Sequence, residues 1–206
     1  DQAYMPWSYD SSWQPITGTT VSTGHQVELA YLLSRAADEG APQAWRDTAN
    51  KLLNYGIAYG VDQTPGPPYY GVMDHQTVAT DGAALDATSV QWWQQSELTR
   101  ATMYFATVGG RPDLWTTYDA SWSAIHAALV DPADGGWFQS ATWNAALGMW
   151  VPGTTDKGNV WNVGYHETNL YDEALRLASL NGSPVPEPAS LGLLAVGALA
   201  LLRRRR

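Results

Sequence analysis

Apolar residues fall at helical spacing in five stretches of the chain, and the segments between them carry no helical period. Residues 1–21 hold Pro6, Pro15, Gly18 and Ser/Thr clusters, so they read as loop or short extended structure, with Trp7, Tyr9 and Trp13 available for packing. A helix is predicted from about His25 to Ala37. Val27, Leu29, Ala30, Tyr31, Leu32 and Leu33 make it apolar nearly all round, which predicts an inner, buried helix. Thr23 and Gln26 have the spacing of a capping box at its start, and Gly40 ends it. Pro42 suits the first turn of a second helix with one stripe of Trp45, Ala49, Leu52, Leu53 and Ile57. So short a connection predicts an antiparallel hairpin.

Residues 64–68 (TPGPP) break the pattern, and two short extended pieces at 69–74 and 76–81 flank His75 in a turn. A third helix is predicted from about Thr88 to Thr107, stopped by Gly109-Gly110. Pro112 opens a fourth, with Leu114, Trp115, Tyr118, Trp122, Ile125 and Leu129 on its apolar face and His126 toward solvent or an edge. A turn-rich loop at 131–137 leads to extended pieces at 137–140 and 146–150. The fifth helix follows a polar, aromatic loop beginning at Lys157. Leu170, Ala174 and Leu177 share one of its faces, with Tyr171 and Leu175 beside them. Helical hairpins at such spacing stack because each buries a face on its neighbour, so the body is predicted to be mainly α with short β excursions in loops.

Length allows one domain with a substantial core. The net charge is −9, and four of the eleven Lys and Arg residues are the terminal Arg203–Arg206, so the body carries no basic stripe and a nucleic-acid partner is not expected. The absence of cysteine excludes disulfides, zinc–thiolate sites and a cysteine nucleophile. No cofactor and no metal are expected. The chain opens on Asp1, which reads as a processed or partial chain. Eleven Trp and eleven Tyr stand against two Phe, a balance suited to clefts where a ring stacks on a sugar and to cores alike.

The C-terminus has a different character. A Pro-rich break at 181–188 precedes residues 189–202, ASLGLLAVGALALL, which are uncharged, and then the four arginines. Fourteen residues are short for a span of about 20, but snorkelling arginines lengthen it. The arginines place the C-terminus in the cytoplasm and the body outside. Residues 189–202 are therefore expected to form a transmembrane-like helix.

Candidate chemistry centres on histidine. His166 sits where a loop meets the fifth helix, a junction from which a side chain is readily aimed at a ligand. A lone histidine there most often serves as a cap, but upstream stand Gly24, His25 and Glu28, with His25 and Glu28 on one helix face. Imidazole titrates near working pH and serves as base in one direction and acid in the other.

The body resembles the C-terminal half of the N-acylglucosamine 2-epimerase family, which includes mannose isomerases and cellobiose 2-epimerases. The resemblance is carried, in order, by Gly24-His25-Gln26-Val27-Glu28, Trp92-Trp93-Gln94-Gln95-Ser96-Glu97, Asp134-Gly135-Gly136-Trp137, and Trp161 through Tyr165-His166. It implies half of an (α/α)6 barrel over residues 1–181, with the N-terminal half missing, and proton transfer at C2 of an open-chain mono- or disaccharide. It implies that His25 and His166 are the two catalytic histidines. Glu28 would orient or charge-couple His25 or hold a hydroxyl, and Trp92, Trp93, Glu97, Trp137 and Trp161 would bind sugar. Many relatives carry Arg three residues after the second histidine, where this chain has Asn169.

The tail resembles the PEP-CTERM sorting signal of Gram-negative bacteria through Pro186-Glu187-Pro188, the apolar run and the terminal arginines. That implies export, inner-membrane anchoring through residues 189–202, processing of the 182–206 segment by an exosortase, and a final location in the envelope or outside the cell. Two other functions fit the same pattern: a glycoside hydrolase or lyase using Glu28, Glu97 or Asp134, and a non-catalytic sugar-binding envelope protein.

Overall fold

The computed structural model describes residues 4–63, 70–73, 77–85, 89–160 and 162–181. Strand β1 (Thr20–Ser22) runs directly into helix α1 (Thr23–Asp38), and a short turn leads to α2 (Ala44–Gly60). Strand β2 (Thr77–Ala79) follows, then β3 (Val90–Gln91), which feeds α3 (Trp92–Thr107) without a break. A 3-10 turn at Pro112–Leu114 opens α4 (Trp115–Ala128). Strands β4 (Ser140–Asn144) and β5 (Met149–Pro152) come next, and α5 (Tyr165–Asn181) is the last described element. β1 pairs antiparallel with β2, setting Val21 opposite Val78, both fully buried. β3, β4 and β5 form a second antiparallel sheet in which Trp143 faces Trp150, their rings 5.6 Å apart and edge to face. The body is thus mainly helical with short strands in its connections, as expected.

The central helix is a polar-looking one. On α3 every residue from Gln94 to Ala106 is buried, and the helix packs against α1, α4 and α5. Its short polar side chains turn back onto the helix: the hydroxyls of Ser96, Thr99 and Thr102 donate to the carbonyls of Trp92, Gln95 and Leu98 at 2.7, 2.8 and 2.7 Å. Gln95 donates to the Gly71 carbonyl at 2.9 Å and to Ser121 Oγ at 2.6 Å, and accepts from Met73 N at 2.9 Å. Buried polar groups paired in this way cost little, so α3 sits in the core despite its composition.

Several expectations shift. α1 is not buried all round, because it leaves Leu32 47% exposed and takes up only one face of the core. Trp45, Trp115 and Leu175, expected on or beside apolar stripes, are exposed. α3 begins at Trp92 rather than Thr88 because Val90 and Gln91 are held in the ladder with β4. The two strands expected at 137–140 and 146–150 lie at 140–144 and 149–152, flanking a turn in which Asn144 Oδ1 accepts from Ala146 N and Leu147 N. His126 is exposed, as expected. His75 and residues 182–206 lie outside the described residues, among which no helix is long and apolar enough to cross a membrane.

α1 and α2 form the expected antiparallel hairpin: Arg46 near the start of α2 pairs with Asp38 at the end of α1 at 2.6 Å, and Gly60 at the end of α2 meets Thr23 at the start of α1. The close approach depends on glycine. A Cβ at Gly60 would lie 2.6 Å from Thr23 Cβ, and one at Gly56 would lie 2.7 Å from Val27 Cγ1. Gly60→Ala is expected to destabilise the protein by about 1–2 kcal/mol, since overpacking of about 1–3 kcal/mol outweighs a helix-propensity gain of up to about 1 kcal/mol. Urea unfolding measures this, and an unchanged or raised midpoint would show that the two helices are not in such close contact.

Candidate active site

Three helices begin at the same place. β1 hands the chain to α1, whose third and sixth residues are His25 and Glu28. β3 hands it to α3, whose second and sixth residues are Trp93 and Glu97. His166 is the second residue of α5. At the start of α1, Ser22 is the N-cap and its side chain accepts from His25 N, one residue earlier than the capping box expected at Thr23. Gln26, freed from that role, is fully buried and grips Met5 at two points: it accepts from Met5 N at 2.7 Å and donates to Met5 O at 3.0 Å. Gly24 lets this turn sit against α3, because a Cβ there would lie 2.5 Å from Gln94 Cγ and 2.8 Å from the Trp93 ring. Before α5, Asn159 ties the loop down by donating to Gln139 at 2.7 Å and accepting from Asn162 N at 3.0 Å. Gly164, at φ 81°, turns the chain into the helix.

Glu97 is the hub. It is fully buried, and Oε2 is ion-paired with Arg100, itself almost fully buried. Oε1 lies 2.7 Å from His166 Nδ1. A carboxylate here fixes the tautomer, because Nδ1–H donates to it and Nε2 is left for another partner. The Arg100 guanidinium lies 4.2 Å over the Tyr31 ring, and Tyr31 donates to Glu173 at 3.0 Å. Burial and the neighbouring Glu173 carboxylate push the Tyr31 hydroxyl up to about 12, so it stays a donor.

The two histidines meet across one indole. The Trp93 ring centre is 4.8 Å from that of His25 and 5.7 Å from that of His166. Burial, and secondarily the nearby His166, lower the pKa of His25, while Glu97 opposes the shift; the ring is therefore held neutral. Its Nδ1 is buried without a hydrogen-bond partner among the described residues. Burial, helped by the Glu97 charge, raises the pKa of Glu28. Glu28, Glu97 and His166 each bring one ligand atom within 4.8 Å of the others, a spacing a cation could use, although Arg100 already holds one oxygen of Glu97.

The expected residues thus separate. His25, Glu28, Trp93, Glu97 and His166 come together. Glu28 makes no hydrogen bond to His25 among the described residues and lies instead with Glu97 and His166. Glu97, expected on a cleft wall, stands behind His166 as its hydrogen-bond partner. Trp92 and Trp137 are buried in the core, 5% and 9% exposed; Trp92 also meets His166 edge to face at 6.5 Å, and Trp137 packs edge to face on Tyr171. Asp134 lies in an exposed loop held by Asp131 Oδ1. Trp161 lies outside the described residues. Periodicity gave no sign of Trp7, whose ring is 5.3 Å from His25 on the open side of the site.

The fold has solved relatives. A D-mannose isomerase superposes with a TM-score of 0.67 at 19% identity, over 82% of this chain and 43% of that one. The cellobiose 2-epimerase from Spirochaeta thermophila DSM 6192 gives 0.64 at 20% identity, over 86% and 42%. A family 76 glycoside hydrolase from a bovine Bacteroides thetaiotaomicron strain gives 0.60 at 12% identity, over 82% and 33%. The chain therefore spans about two-fifths of the length of the first two. None of the curated protein sequences compared with it matches. Residues 184–206 match the PEP-CTERM protein-sorting motif, which supports export and sorting. Residues 3–156 match the family model of N-acylglucosamine 2-epimerase (GlcNAc 2-epimerase), and the chain belongs to that family.

Proposed function

We propose that residues 1–181 are the histidine-bearing part of an (α/α)6-barrel sugar 2-epimerase or aldose–ketose isomerase. The observation that carries this reading is the meeting of His25 and His166, 141 positions apart, across the Trp93 ring, with Glu97 fixing one of them. One neutral imidazole takes the proton from C2 of the open-chain sugar, and the C–H electron pair forms the C1–C2 double bond of an enediolate. Return of a proton to C2 from the other imidazolium, on the opposite face, inverts the centre. Transfer of the O2 proton and protonation at C1 yields the ketose instead. The lowered pKa of His25 suits it to the role of base, and the Nδ1–Glu97 bond leaves His166 Nε2 to face substrate. The starts of α1, α3 and α5 bring the positive ends of three helix dipoles toward the developing oxyanion. Hydrolysis by Glu97 is poorly supported, because both its oxygens are engaged.

His25→Asn and His166→Asn, tested in the full-length protein, should each lower kcat by about 10²–10⁴ with KM changed only a few-fold. Product analysis and deuterium wash-in at C2 with mannose and cellobiose read this out, and full exchange in both variants would sink the histidine mechanism. Because the pKa of His25 is lowered, its neutral form persists below the ordinary histidine value. The acid limb of kcat/KM should therefore fall at a midpoint below about 6.5. A midpoint above that value would remove His25 as the base.

For the tail, we propose anchoring through residues 189–202 followed by exosortase cleavage near Pro186–Pro188, which releases the body to the envelope or beyond. In an exosortase-bearing host the secreted protein should lack Arg203–Arg206. Mass spectrometry finding the four arginines intact on it would count decisively against processing.

A further inference from the structure

Because α1, α3 and α5 begin together at the histidines, their other ends lie together about 24–25 Å away, the length of 16 or 17 helical residues. The bonds from Tyr104 and Arg46 to Asp38 mark that far end, where α2 and α4 begin. Large apolar side chains are exposed there. Trp45 and Trp115 open α2 and α4 and are 44% and 41% exposed, Val108 follows α3, and Leu180, 59% exposed, lies in the last turn of α5. Arginines stand among them: Arg46 follows Trp45, Arg111 falls between Val108 and Trp115 in the chain, and Arg176 is one turn before Leu180. Each is ion-paired, with Asp38, Asp113 and Glu173 in turn, so this end carries little net charge. Indoles with a polar handle and arginines on apolar stems are side chains that settle at a bilayer–water boundary. The opposite end is acidic. The described loops in front of the histidines expose Asp10, Asp81, Asp134 and Asp156, and the one Lys or Arg in them is Lys157, paired with Asp131.

The tail leaves from the far end. Seven residues, 182–188, separate the end of α5 from the apolar run at 189–202. Fully stretched, such a linker spans at most about 25 Å. α5 alone is about 25 Å long, and the loops carrying the exposed carboxylates lie beyond its start. The linker is therefore too short to bring the acidic end to a bilayer that holds 189–202, whereas the far end is within its reach. We propose that the surface formed by Trp45, Val108, Trp115 and Leu180 lies against the bilayer while the tail is anchored. The body then stands on its far end, and the histidines face away from the lipid at a height of about 25 Å. The inference rests on the reading that residues 189–202 anchor the chain, and it adds an orientation that reading does not contain.

The chain has no cysteine, so one introduced thiol carries one label. Full-length protein retaining its tail is labelled with a fluorophore at Val108→Cys or, at the acidic end, at Val163→Cys, and mixed with vesicles of phosphatidylethanolamine and phosphatidylglycerol that carry a doxyl quencher in their acyl chains. Co-flotation with the vesicles reports the anchor, and quenching reports the surface. Quenching at position 108 should exceed that at position 163 about twofold or more, and Trp45→Asp combined with Trp115→Asp should narrow the difference without loss of flotation. Flotation with equal quenching, or with more at position 163, would overturn the surface and leave the anchor standing. Quenching confined to position 108 in protein that does not float would overturn the anchor and leave the surface standing, and neither signal would overturn both. A thiol at position 108 that reacts with a water-soluble reagent only after unfolding would show that a protein segment or a second copy covers this face, and the proposal would fall.

Discussion

A carboxylate with no access to water sits at the middle of this protein, and much else is arranged around it. Taking a carboxylate out of water costs several kcal/mol even after relaxation, and only close partners offset that cost. Glu97 has two, Arg100 on its own helix and His166 on α5. Arg100 is in turn laid on Tyr31 of α1, and Tyr31 reaches Glu173 of α5, which Arg176 holds at 2.8 and 2.6 Å. One alternating series of charges and rings therefore ties α1, α3 and α5 together. The same groups that stabilise the helix packing fix the tautomer of His166, so packing and proposed chemistry share their parts.

A second tie lies farther along the helices. Asp38 accepts from Tyr104 at 2.6 Å and from Arg46 at 2.6 Å, linking α1, α2 and α3 at the end away from the histidines. Burial and the Asp38 contact push the Tyr104 hydroxyl well above its ordinary value, so it remains a donor. With polar ties at both ends and apolar contacts between, the relative rotation of α1 and α3 is restrained, and with it the separation of His25 from Trp93.

Much of this is legible in the sequence, for a definite reason. Helical periodicity reports which segments become helices because every helix must bury a stripe, and it finds all five. It misjudges depth, because it counts apolar residues: α1 looks innermost, while α3, with Gln95, Thr99 and Arg100, lies deeper because those groups find partners among residues distant in sequence. The histidines and acids are visible as residue types at helix starts. Their pairing is not, since the 69-position separation of Glu97 and His166 leaves no local mark. Two adjacent indoles cannot be told apart by spacing either. The turn of about 100° between neighbours on a helix buries Trp92 in the core, edge to face with His166, and sets Trp93 between the two histidines. The shifted strands reflect ladder register, which is set by a partner rather than by the strand's own residues.

The joining of strand to helix at Ser22–Thr23 and Gln91–Trp92 has a consequence for how such a protein changes over time. The two histidines belong to the first turns of helices, whereas Trp7, Ser22 and Thr77 come from the strands and loops in front of them. A substitution at the exposed Trp7 changes the wall beside His25 without touching the buried carboxylate or the glycine contacts between helices. Mutational cost and mutational opportunity are thereby separated in space, the first in the packed helix starts and the second in the segment in front of them.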